Sequence, residues 1–267
     1  MRVHKHHRVS SWAQYDRRVR YSGRRLLGEL DRFKNCILVA GCQRSGTTAL
    51  SRLLTSSEGM VRFQFGHDDE LDAALILSGW IDFPSTGRFC FQTTYLNNSY
   101  PEYFEHIDYR LIWVVRNPYS VVYSMLHNWK MAALNRLFRH CGHELLADGE
   151  RWKYDRFGVW AVPRLRKACL SYNAKISQTG ILKSRLDPDR IMILDYDDLI
   201  RNKRNILPEL YNFTQLSYGE EYLSRLHSKS LSKADKFTSR ETELIESTCM
   251  PLYLESRKYL TIDMTTA

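Results

Sequence analysis

The sequence predicts a single α/β domain in which a mainly parallel sheet is flanked by helices, and three observations predict it. Apolar runs of strand length alternate with helical patterns along the 267 residues, the order that builds parallel sheets. Two of those runs end in strand-to-helix turns with unusual chemistry, at 36–54 and at 109–126. No run approaches the roughly 18 apolar residues of a membrane span, and no repeat, low-complexity tract or linker divides the chain.

Residues 10–33 read as an amphipathic helix, with Arg17, Arg18, Arg20, Arg24 and Arg25 outward and Leu26, Leu27 and Leu30 inward. Residues 1–34 thus form a basic N-terminal helical arm ahead of a domain at 35–267. The first strand runs over 36–40, and a helix over 47–55 follows it. A short strand at 60–65 leads through an acidic turn into a helix over about 71–80. The next strand, at 89–94, is broken by Asn97, Asn98 and Pro101. A strand at 110–115 and a helix from 118 to about 129 come next. Residues 130–157 are polar, aromatic and irregular, with Gly142 and Gly149 as breakers, and read as a substrate-side insertion or lid. A long helix over 159–180, a strand at 190–196, a helix around 205–213 and a last helix from about 239 complete the pattern.

The net charge of +9 is unevenly spread. Residues 1–34 carry ten Lys and Arg against Asp16, Glu29 and Asp31, so the basicity belongs to the arm more than to the domain. No DNA- or RNA-binding motif accompanies the arm, which reads as a solvated helix; neither nucleic acid nor membrane is an expected partner. The start of the chain has charge but no apolar core, so no signal peptide is expected. The six cysteines lack framework spacing and read as reduced thiols of a cytoplasmic protein.

The first turn has the spacing Gly41-x-x-x-x-Gly46-Thr47-Thr48. Its backbone amides would point at an anion, with the positive end of a helix dipole behind them. This is a P-loop-like phosphate cradle with one decisive change: Thr47 stands where an NTPase carries its Lys. Arg44 is the loop's only cation. A P-loop kinase or nucleotide-binding protein is the alternative of another class, weakened by the missing Lys and by the lack of a Walker-type Asp strand; no metal is expected. At the second turn, Arg116 sits at a strand's C-terminal edge, where ligands bind open α/β sheets. Ser124 lies about two helical turns on, so both can face one phosphate.

Together, the loop Arg44-Ser45-Gly46-Thr47-Thr48 and the pair Arg116 and Ser124 resemble the sulfotransferases that use 3′-phosphoadenosine 5′-phosphosulfate (PAPS). In that family the loop holds the 5′-phosphosulfate, and an Arg with a Ser eight positions later holds the 3′-phosphate. The Arg-containing loop is closer to the bacterial and carbohydrate-type branches than to the cytosolic animal branch. The resemblance implies PAPS as donor, its bisphosphate PAP as product, and a P-loop-like fold. It implies adenine contact for Tyr196, in a segment similar to the family's Tyr-acid-Asp-Leu element, and a cofactor-closing basic loop at Lys233. The family's Arg-Lys-Gly ending is absent; Arg257-Lys258-Tyr259 resembles it weakly and reads as helix.

Sulfuryl transfer is an in-line displacement, so fixed positive charge at Arg44 and a base for the acceptor's proton are required. Cytosolic animal members use a His in a Lys-Thr-His motif; the matching positions here are Gln92, Thr93 and Thr94. Carbohydrate-type members place a Glu after the P-loop helix, which points to Glu70 as the base, with His67 and His127 as lesser candidates. His67, Asp68, Asp69, Asp72, His127 and Trp129 are candidate substrate residues. Carboxylates beside aromatics suit a cationic small-molecule acceptor, such as a guanidinium alkaloid of the saxitoxin kind in bacterial natural-product biosynthesis. A carbohydrate or glycolipid O-sulfotransferase is the alternative acceptor class.

Overall fold

Apolar runs with no polar alternation become strands buried on both faces. In the computed structural model, which describes residues 9–66, 68–227 and 233–262, these are β1 (Cys36–Gly41), β2 (Cys90–Gln92), β3 (Tyr109–Val115) and β4 (Ile191–Asp195). They form one sheet in the order β2-β1-β3-β4, every pair parallel. The register sets Val39 against Gln92 on one side and Ile112 on the other. The expected mainly parallel α/β fold is present.

Eleven helices are described: α1 (Trp12–Arg18), α2 (Thr47–Thr55), α3 (Asp69–Leu77), α4 (Pro118–His127), α5 (Met131–His140), α6 (Asp148–Phe157), α7 (Arg164–Ile176), α8 (Gln178–Arg185), α9 (Tyr196–Arg201), α10 (Lys203–Thr214) and α11 (Ser239–Arg257). Successive strand residues feed opposite cores. Leu38, Ala40, Leu111, Trp113 and Val115 pack with α4, α7 and α11. Ile37, Val39, Ile112 and Val114 pack with α2, α9 and α10. The helix after β1 therefore covers one face and the helix after the adjacent β3 covers the other. That reversal opens a crevice beyond the strands' C-terminal ends.

Several boundaries depart from the sequence-based expectation. Residues 10–33 are not one helix: Ser11 caps α1, Gly23 turns the chain at φ 76°, and a short 3-10 turn follows at Leu30–Arg32. Val9, Tyr15, Val19, Leu26, Leu27 and Leu30 join the larger core. Arg20 points inward rather than outward, because the buried Asp16 needs a partner; their charges meet at 3.1 Å. The stretch at 60–65 makes only the bridge from Met60 to Arg88. Residues 130–157 are largely helical, since Leu134, Leu137 and Phe138 share the buried face of α5. Pro163 caps α7, delaying the long helix and leaving a second, α8, beyond Ser177. No helix among the described residues is long and apolar enough to cross a membrane.

Candidate active site

The first strand delivers the chain to the crevice through two glycines that only glycine can occupy. At Gly41, φ is 135° and a Cβ would lie 2.2 Å from the Val114 carbonyl oxygen, so β1 could not lie so close to β3 with any side chain there. At Gly46, φ is 93° and a Cβ would lie 2.3 Å from the Tyr196 ring. Between them Arg44 adopts φ 70°, a left-handed conformation that costs a non-glycine residue energy. Thr47 and Thr48 open α2 with amides that have no acceptor within the helix, and the helix dipole adds positive potential there. Burial lowers the Arg44 pKa, and the neighbouring Arg116 charge adds to that effect.

Arg116 leaves the end of β3 and is buried. Its Nε pairs with Asp197 at 2.9 Å, a terminal nitrogen reaches the Arg44 carbonyl at 3.3 Å, and its guanidinium lies 4.9 Å from the Tyr196 ring centroid. The other side of that pair is rigid. Asp195 caps α9 through the amides of Asp197 and Asp198, and is itself held by Tyr253 at 2.7 Å and Arg257 at 3.0 Å. Arg257 is therefore committed to Asp195 and Asp198 and lies off the cleft lining. Ser124, two turns into α4, accepts from Arg44 Nε at 2.8 Å and from Asn128 at 3.2 Å. Lys233 approaches the Tyr123 ring at 5.5 Å and lines the same cleft.

Across the crevice, Asp68 caps α3 by accepting from the amides of Glu70 and Leu71 at 3.1 and 3.2 Å. This turns the half-buried Glu70 toward β2. Its carboxylate accepts from Gln92 Nε2 at 3.0 Å and from the Tyr95 amide. Gln92 Nε2 also lies 3.2 Å from Thr47 Oγ1, so one amide group links the carboxylate to the start of the phosphate-loop helix. Burial pushes the Glu70 pKa up to about 8, against the lowering effect of the Tyr95 amide; the Asp68 charge pushes the same way as burial.

Arg44, Gly46, Thr47, Thr48, Asp68, Glu70, Arg116, Ser124, Trp129, Tyr196 and Lys233 all line one cleft of about 580 Å³. Other candidate residues are placed elsewhere. Ser45 is fully buried beneath the loop. Asp69 pairs with Arg52 at 2.6 Å. The buried Asp72 accepts the amides of Phe65 and Gly66 at 2.9 and 2.7 Å, bracing the turn. His127 stacks on Tyr123 at the exposed end of α4 and does not line the cleft. His67 lies outside the described residues. The acidic patch thus gives the cleft Asp68 and Glu70 but not Asp69 or Asp72, which removes half the carboxylates on which a cationic acceptor was expected to rest. Trp12, Tyr95, Asn128 and Arg136 also line the cleft, and no motif singles them out. Only Gln92 and Thr94 carried a signal, as the positions where the animal-branch Lys and His are missing.

Helix-start amides at the switch point of a parallel sheet, flanked by two arginines and facing a carboxylate of raised pKa, form an arrangement able to hold a phosphate-bearing ligand. The sequence matches the sulfotransferase domain family over residues 34–251, and the chain belongs to that family, the PAPS-dependent sulfotransferases. Among solved structures it is similar to a sulfotransferase from Alicyclobacillus acidocaldarius, with TM-score 0.50 and 12% identity over 86% of this chain and 97% of that chain. A mouse sulfotransferase complexed with PAP gives TM-score 0.48 and 14% identity, covering 87% and 88%. The sulfotransferase domain from the curacin biosynthetic pathway gives 0.46 and 14%, covering 86% and 93%. A comparison with curated protein sequences found no match.

Proposed function

We propose that the chain transfers the sulfuryl group of PAPS to a hydroxyl or amine of a small-molecule acceptor, with Glu70 as the general base. The observation that carries this reading is the link from Glu70 through Gln92 to Thr47: a carboxylate with the pKa of a base at working pH stands one side chain from the phosphate cradle. The donor set fits PAPS. The Arg44 and Arg116 guanidiniums, the helix-start amides and the hydroxyls of Thr47, Thr48 and Ser124 face one cleft, and at Gly46 a side chain would run into the Tyr196 ring. PAPS, when bound, supplies a sulfuryl group on a phosphate leaving group.

The chain's own residues then divide the work. The amides at the start of α2 and the Arg44 guanidinium hold and neutralise the 5′-phosphate oxygens, where negative charge grows in the transition state. Arg116 and Ser124 hold the 3′-phosphate, and the ion pair with Asp197 fixes the Arg116 fork before any ligand arrives. Because Arg44 Nε already reaches Ser124, the two phosphate sites share a donor network. Tyr196 supplies a ring wall beneath the loop for the adenine side, and Lys233 closes the cleft from the loop before α11. Glu70, oriented by Gln92 and the Tyr95 amide, takes the acceptor's proton.

Thermal unfolding with PAP, with ATP and Mg, and with an oligonucleotide tests the nucleotide assignment. PAP alone should stabilise the protein, by about 2.7 kcal/mol at a hundred times its Kd. Stabilisation by ATP and Mg but not by PAP would overturn the reading.

A further inference from the structure

The acceptor end of the cleft is built by side chains outside both phosphate motifs. Trp12 comes from α1, upstream of the 34–251 segment that matches the family; Tyr95 follows β2, Trp129 lies in the turn between α4 and α5, and Arg136 comes from α5. The Trp12 and Tyr95 rings pack with centroids 4.1 Å apart at a 32° tilt. Trp12 Nε1 donates to Asp68 at 2.8 Å, which fixes the indole against the start of α3.

A charge cluster lies behind these rings. The buried Asp16 carboxylate meets Arg20 at 3.1 Å, Arg136 at 3.4 Å and His140 Nε2 at 3.1 Å. The Arg20 side chain is 7% accessible and that of Arg136 is 26% accessible, and Arg136 is the member that lines the cleft. Two guanidiniums share one carboxylate, and burial favours neutral His140 despite Asp16. The cluster is therefore net positive, and it meets the cleft at Arg136. Facing it, Asp68 already accepts hydrogen bonds from Trp12 and from two helix amides.

We propose that the acceptor is a small flat-ring hydroxyl or amine compound bearing an anionic group, its ring against Trp12, Tyr95 and Trp129 and its anion on Arg136. The inference rests on the sulfuryl-transfer reading of the same cleft. Aromatic walls select a ring by area and by quadrupole contact. An Arg fork selects a planar oxyanion over a cation of the same size. Because nucleotide phosphates and acceptor share about 580 Å³, the acceptor is small.

The test is calorimetry on the full chain, first titrated with PAP and then, with PAP bound, with three probes of one shape: 4-hydroxyphenylacetate, 4-ethylphenol and tyramine. The acid should bind at least about tenfold more tightly than 4-ethylphenol, with tyramine weakest. Arg136→Gln should bring the acid-to-ethylphenol ratio close to one, and Arg136→Lys should retain part of it. Tyramine binding as tightly as the acid to the wild-type protein overturns the inference, and so does a ratio that Arg136→Gln leaves intact. If Arg136→Gln does not fold, the wild-type ranking decides alone. Failure of PAP to bind in the first titration overturns the sulfuryl-transfer reading and this inference with it, whereas a failed ranking with PAP bound overturns the inference only.

Discussion

The two ends of the cleft are built by different rules. At one end, the residues assigned to the two phosphates come from two strand-to-helix junctions. Backbone geometry there dictates residue type: glycine at Gly41 and Gly46, and an Asn117 side-chain cap on the Tyr119 amide opening α4. At the other end, the lining comes from α1, the turn after β2, the turn before α5 and α5 itself, segments far apart in sequence that meet through packing and through the Asp16 ion pairs. One end is specified by short-range conformation, the other by tertiary contact. The difference teaches that the two ends are specified separately, tied where the Gln43 side chain of the loop donates to the Thr94 carbonyl in the turn after β2.

Four measurements break or sharpen that contrast. The largest effect belongs to the residue that joins the ends. Glu70→Gln keeps size and one of the two accepted hydrogen bonds but removes basicity, and should lower kcat by about 10²–10⁴-fold with PAP affinity nearly intact. Near-normal kcat in a chemistry-limited assay would remove Glu70 from the base role. Next, Arg116→Ala should weaken PAP binding by about 2–4 kcal/mol in calorimetry, since it deletes a buried charge-assisted donor and strands Asp197. An unchanged Kd would separate Arg116 from the 3′-phosphate.

Third in size is the pH response. Glu70 is raised from 4.5 to about 8, and a base acts only when deprotonated. The kcat/KM profile should therefore fall about tenfold per pH unit below that pKa, a limb that Glu70→Gln abolishes. Stability runs the opposite way: a carboxyl that binds its proton more tightly when folded contributes fully below its unfolded pKa, and the contribution is lost as pH rises toward about 8. The wild-type Tm should thus drop more steeply than that of Glu70→Gln between those limits. The smallest effect is Ser124→Ala, about 1 kcal/mol in PAP affinity, because the lost hydroxyl contact is neutral.

The same division explains what was legible in the sequence. Strands β1, β3 and β4 announce themselves as continuous apolar runs, and the two turns carry their chemistry in adjacent letters. Glu70 was reachable through its place after the phosphate-loop helix, but the fates of its neighbours were not. Asp72 turns back to brace the Phe65 and Gly66 amides, and Asp69 meets Arg52 one element away; both outcomes depend on how α3 docks. Arg20 looked like one more surface cation on an amphipathic stretch. Its inward course follows from the burial of Asp16 and from Tyr95, over whose ring the Arg20 guanidinium lies at 5.6 Å and to whose carbonyl it donates at 2.8 Å. Trp12 and Arg136 carry no local signal, since only the packing of α1 against α5 and the turn after β2 makes them neighbours of one ligand.

All six cysteines are free and buried, and burial raises the thiol pKa of Cys36, Cys42 and Cys90 along the first two strands and the phosphate loop. Since a buried thiol is out of a reagent's reach, each should be alkylated only when its surroundings open. Cys42 then works as a clock for the loop and Cys249 as a clock for α11. A nucleotide that ties down the loop should slow the first and leave the second running.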